Sequence, residues 1–141
     1  MKRADYERCK ARALEFYAKA GIALTDAEKS SVEVAEFGLG VVDNVGLELI
    51  TYINTDRVCA KEMVLFPGQS CPEHWHVPTN GQEGKEETFR CRYGKVYLYV
   101  DGEGRKENIQ ASIPLTPVTV FHEVILNPRS EEHTSELQSL Y

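Results

Sequence analysis

His74 and His76 stand one residue apart, and Glu87 follows them after a polar stretch. On an extended segment, residues two apart point to one face, so both imidazoles would face one way and Trp75 the other. Glu87 opens a run whose next same-face residues are Phe89 and Cys91. Adjacent strands of one sheet lie about 4.7–4.9 Å apart. A histidine-bearing strand beside a glutamate-bearing strand would therefore bring three donors around one ion at about 2.0–2.2 Å each. Imidazole with carboxylate suits manganese, iron, cobalt, nickel or zinc better than calcium. Two histidines alone would be the solvated side chains of a polar loop. The downstream Glu87 and the flanking Gly68 and Gly94 favour the metal.

The 141 residues are enough for one domain with a real core. A hydrophobic content of 42% excludes wholesale disorder, and a formal charge of −6 argues against a nucleic-acid partner. No apolar run approaches the roughly 20 residues of a membrane span, and the N-terminus lacks the apolar core of a secretory signal. Cys9, Cys59, Cys71 and Cys91 form no CxxC pair and read as free thiols of a reducing cytoplasm.

The elements that must position the site follow from periodicity. Tyr6, Cys9, Ala13, Phe16 and Tyr17 share a face of a helix over Ala4 to Ala20, which Gly21 stops. Thr25 and Glu28 have the spacing of a capping box, opening a second helix to about Ala35. From Phe37 the period shortens to two. Strands are expected over Leu47 to Thr55, with Leu47, Leu49, Thr51 and Ile53 on one face, and over Val58 to Phe66 before the Pro67-Gly68 turn. Further strands are expected over Glu86 to Tyr93, Lys95 to Asp101 and Val118 to Leu126, with Asn54 to Arg57 as a turn. This is the pattern of an all-β sandwich or barrel, with the helical pair covering a sheet edge or forming a lid. Lys61 shares a strand face with Met63 and Leu65. If that face is the barrel interior, Lys61 is placed for chemistry; if it is outward, Lys61 is a solvated lysine. Arg90 and Arg92 could meet substrate hydroxyls or stay in solvent. Tyr97 and Tyr99 oppose Val96, Leu98 and Val100, and either set could be core. His122, alternating with Val120 and Val124, reads as a structural histidine, and Glu83 and Glu86 as loop surface.

Gly68, then His74 and His76, then Glu87, then Gly94 resembles the first motif of the cupin superfamily. Longer words are similar to one cupin family, the D-lyxose isomerases: KAGIALTDAE, ITYINTDRVCAKEMVLFPGQSCPEHWH, GQEGKEETFRCRYGKVYLYVDGE and VFHEVILNP. The likeness covers most of residues 19–101 and again 118–128. It implies a mainly β fold, a cupin-type jelly-roll barrel with two short N-terminal helices. It implies a divalent metal, typically manganese, held by His74, His76 and Glu87, with Lys61 acting near the substrate. It further implies interconversion of D-lyxose with D-xylulose, extending to D-mannose and D-fructose, in a homodimer of the full-length chain. The family's carboxylate base lies beyond its last metal ligand and is not placed here. The motif alone would also suit an Fe(II)-dependent cupin oxygenase, or a non-enzymatic module that binds metal or sugar.

After Asn127-Pro128 the likeness stops. Residues 129–141 resemble the in-frame translation of a sequencing adapter, against the rival of a short C-terminal helix at SELQSL. The chain is therefore expected to divide into a helical segment at 1–36, a cupin domain lacking its C-terminal strands at 37–128, and a non-native tail at 129–141. The resemblance implies a fourth ligand, a histidine of the second cupin motif, which this chain then lacks; His133 is not that ligand. With six or seven strands where a jelly roll has eight, edges would be left unpaired, and the chain as written would isomerise poorly. Resequencing the locus from an independent library should show the frame continuing differently after Pro128. A natural stop after Tyr141 would contradict this.

Overall fold

The computed structural model describes residues 1–55, 57–78, 81, 84, 86–111, 117–129, 131–134 and 138–140. Side chains at 131–139 fall outside the description, as do Asp56 in the expected turn and Glu83 in the loop. The chain divides into two compact units, Met1–Gln69 and Ser70–Tyr141.

In the first unit, α1 (Arg3–Lys19) buries Cys9, Ala13 and Tyr17, four residues apart, while Tyr6 and Phe16 flank the stripe half-buried. The helix stops at Gly21, whose φ of 69° lies in the left-handed region that glycine enters without a Cβ penalty. The Ile22 amide then donates to the Tyr17 carbonyl at 2.9 Å. Thr25 and Glu28 form the expected capping box: the Glu28 amide donates to Thr25 Oγ1 at 3.2 Å and the Thr25 amide to Glu28 Oε2 at 2.7 Å. The helix it opens, α2 (Asp26–Ser30), is shorter than the spacing implied. The β-branched Val32 and Val34 lead instead into strand β1 (Glu33–Ala35), which pairs antiparallel with β2 (Leu47–Asn54). β2 pairs in turn with β3 (Cys59–Val64), giving the order β1-β2-β3. α1 shares its core with Val32, Val42, Ile50, Val64 and Phe66.

The alternation expected for β2 fails in its first half. Leu47, Glu48, Leu49 and Ile50 are all buried, whereas Tyr52 and Ile53 are exposed. Glu48 is wholly buried; its Oε1 accepts from Gln69 Nε2 at 3.2 Å, and the same amide donates to the Val42 carbonyl at 2.7 Å. Burial pushes the Glu48 carboxyl up to about 7, against the opposing pull of the Gln69 amide and the Arg12 guanidinium.

The second unit holds β4 (Cys71–His74), β5 (Glu87–Arg90), β6 (Val96–Val100), a 3-10 turn (Lys106–Asn108), β7 (His122–Leu126), β8 (Glu131–Thr134) and β9 (Gln138–Leu140). Four strands form one sheet in the order β4-β9-β6-β7, and β5 pairs with β8 in another, all antiparallel. Leu98 and Tyr99 are both buried, so each face of β6 contributes to packing. β7 begins four residues later than expected, because the Thr119 and Val120 amides donate to the Glu73 carboxylate. The C-terminal segment is not helical where it is described. Residues 131–134 line β5, and 138–140 lie between β4 and β6. No described helix is long and apolar enough to cross a membrane.

Glu48 sets a pH dependence. Its folded value lies above the ordinary carboxylate value, so its contribution to stability is full below about pH 4.5 and is lost as pH rises through about 7. Glu48→Gln should raise stability at pH 8 by about 2 kcal/mol and flatten the slope between those limits. Urea unfolding at pH 5 and pH 8 checks this; equal slopes for both proteins would contradict it.

Candidate metal centre

His74 closes β4 and His76 follows on the continuing chain, with Trp75 between them 61% exposed. The two imidazoles lie edge to face with centroids 5.7 Å apart. Glu87 begins β5 and meets both: His76 Nε2 is 3.0 Å from Glu87 Oε1, and His74 Nε2 is 3.9 Å from Glu87 Oε2. Among the described residues, one donor atom from each of the three lies within 4.8 Å of the others. Donors at about 2.0–2.2 Å from a shared ion stand roughly 3–4 Å apart, so the three fit one cation with small side-chain adjustments. His74 Nδ1 is 2.8 Å from the Pro72 carbonyl. An Nδ1–H donated there leaves Nε2 as the ligand atom, the usual way in which an outer partner fixes a ligating imidazole. All three side chains are half-exposed, leaving ion faces open to solvent and to a substrate.

The strands reach this arrangement by a different route from the one the spacing suggested. β4 and β5 do not pair; each is hydrogen-bonded to a C-terminal strand, β9 or β8, in a different sheet. Gly84, in the loop between His76 and Glu87, lies so close to the His76 carbonyl that a Cβ there would collide with it. Its functional signal in the sequence is slight, a single glycine in a polar loop. Cys71 is buried near Glu87, and desolvation, with the glutamate's charge second, pushes its thiol up to about 12.

The remaining candidates are placed elsewhere or otherwise. Lys61 and Met63 are exposed within the first unit, so the enclosed setting considered for Lys61 is not found there. Arg90 lies on the exposed face of β5, two residues along from Thr88, and alternation sets it opposite Glu87. With Cys91, Arg92, Pro128 and Arg129 it lines a cavity of about 450 Å³. His122 stays out of the cluster, its Nδ1 2.9 Å from the Glu103 carbonyl, and Glu86 is exposed loop. His133 pairs with Thr88 along β8, its side chain outside the description.

No protein-family model matches the chain. Its fold is that of solved L-ribose isomerases. The Acinetobacter sp. DL28 enzyme in complex with L-ribose superposes with a TM-score of 0.65 at 15% identity, over 99% of this chain and 74% of that one. The Cellulomonas parahominis enzyme gives 0.65 at 14%, over 99% and 76%. The protein is thus a cupin-fold, mainly β chain with two N-terminal helices. Curated relatives are closer in sequence. D-lyxose/D-mannose isomerase of Thermosediminibacter oceani is 52% identical over all of this chain and 78% of its own length. D-lyxose ketol-isomerase of Cohnella laeviribosi is 53% identical over 95% and 74%. The chain belongs to the D-lyxose ketol-isomerase family and is an aldose–ketose isomerase by class. The oxygenase and the non-enzymatic module that the metal motif alone left open give way to that class.

His76→Ala and Glu87→Ala should each weaken Mn(II) binding by at least about 100-fold, beyond the range typical of outer-shell partners. Isothermal titration with Mn(II) measures it; unchanged affinity in either variant would remove that residue from the site.

Proposed function

We propose that the chain carries a metal-dependent isomerisation of D-lyxose and D-xylulose, with D-mannose and D-fructose as a second pair, in a cytoplasmic homodimer. The observation that carries the reading is the convergence of His74, His76 and Glu87 in a chain of this family. The donor set suits manganese, with zinc, iron, cobalt or nickel as competitors. Such an ion, when bound, supplies Lewis acidity to the sugar's carbonyl and neighbouring hydroxyl oxygens.

The chain's own residues set the rest. With a divalent ion held by His74, His76 and Glu87, the single carboxylate would cancel only part of its charge, and the site would favour developing negative charge on a bound sugar. The half-exposed donors leave room for two sugar oxygens. Isomerisation moves a proton from C2 to C1 through a cis-enediol, while the O2 proton passes to O1. Lys61, whose ammonium can give and regain a proton, is our candidate for the hydroxyl transfer, on the family resemblance.

Ketose formation from D-lyxose and D-mannose by the intact gene product tests the reading. Chelation should abolish turnover and Mn(II) should restore it. Lys61→Met should lower kcat by about 10²–10⁴-fold with Mn(II) affinity unchanged. Chelator-resistant activity would contradict the metal reading, and full activity in Lys61→Met would contradict the role of the lysine.

A further inference from the structure

We propose that Glu73 is a positioning residue for the metal centre: its carboxylate ties β4 to the segment that leads into β7 and thereby fixes the strand that presents His74. The inference rests on the metal reading of His74, His76 and Glu87.

β4 is weakly held by its ladder. Among the described residues it is an outer strand, paired through Cys71 with Leu140 and His74 with Gln138, and the register shifts between those pairs. Pro72, inside that gap, has no amide to donate. Glu73, also in the gap, supplies the missing restraint by its side chain. Its Oε2 accepts from the Thr119 amide at 2.7 Å and the Val120 amide at 3.2 Å, and its Oε1 accepts from Thr119 Oγ1 at 2.6 Å. Thr119 and Val120 lead into β7, the strand at the opposite edge of the same sheet. One carboxylate therefore ties β4 to the segment entering β7 through three charge-assisted hydrogen bonds, which are stronger than neutral ones.

The tie lies where it can act on the site. Glu73 and His74 are consecutive in a strand, so the carboxylate grips β4 from the face opposite the imidazole. Pro72, on the other side of Glu73, offers the carbonyl that orients His74 Nδ1. Pro72, Glu73 and His74 thus form one device: an oriented imidazole on a backbone anchored at its middle residue. Release of Glu73 frees both the backbone and the carbonyl, and His74 Nε2 loses its fixed aim at Glu87. Partners one step removed from a ligand are typically worth about 10–100-fold in metal affinity.

The test is Mn(II) titration followed by electron paramagnetic resonance, with circular dichroism at the same temperature to measure the folded fraction. Glu73→Ala should weaken Mn(II) binding by about tenfold while folded, Thr119→Val by a smaller factor, and Thr119→Ser should bind like the wild type. Affinity within twofold of wild type in folded Glu73→Ala would overturn the proposal. So would a loss no larger than the unfolded fraction explains, since that is a purely structural role. Should Glu73→Ala fail to fold, Thr119→Val against Thr119→Ser decides: equal affinities overturn the proposal, and a loss confined to the valine supports it. A wild-type protein that binds no Mn(II) would instead overturn the metal reading beneath it.

Discussion

Three electron-rich donors, two imidazole nitrogens and one carboxylate, face one another at His74, His76 and Glu87. Without a cation or a proton between them their lone pairs repel, so such a meeting forms only where the backbone holds it. Here His74 ends β4, His76 follows it, and Glu87 begins β5 in a different sheet. The geometry of the site therefore depends on what fixes β4 and β5 individually, and hydrogen bonding between the two does not supply it.

Buried or half-buried carboxylates recur as the means of fixing. Glu73 collects donors from Thr119 and Val120. Glu123, on β7, accepts from the Tyr99 hydroxyl and from the Gln110 and Ala111 amides. In both cases loop amides outside the strands donate to a carboxylate side chain. Glu48 is the contrasting case. It is wholly buried with an amide donor at Oε1, and desolvation pushes its carboxyl up to about 7.

Much of the site was legible in the sequence, because ligand chemistry is local. Two histidines at a spacing of two share a face on any extended backbone, and Thr25 with Glu28 announces its cap for equally local reasons. What escaped was long-range. β1 is three residues long and follows a good helix start, so nothing short of its pairing with β2 identifies it. Alternation in β2 broke at Glu48, because burial on both faces of a strand leaves no period to read. The pairing of β4 and β5 with C-terminal strands could not be inferred from residues 68–94 alone. Glu73 carries no local signal in the sequence, since its partners lie 46 and 47 residues away.

Family and fold converge on a sugar isomerase of the cupin type, and the proposed chemistry turns on the three donors. The most direct test is pulsed electron paramagnetic resonance on the Mn(II)-loaded protein, which reads nitrogen nuclei bound to the ion. Two imidazole nitrogens in the first coordination sphere are predicted, with one lost in His74→Ala and one in His76→Ala. An ion surrounded by oxygen alone would contradict the account.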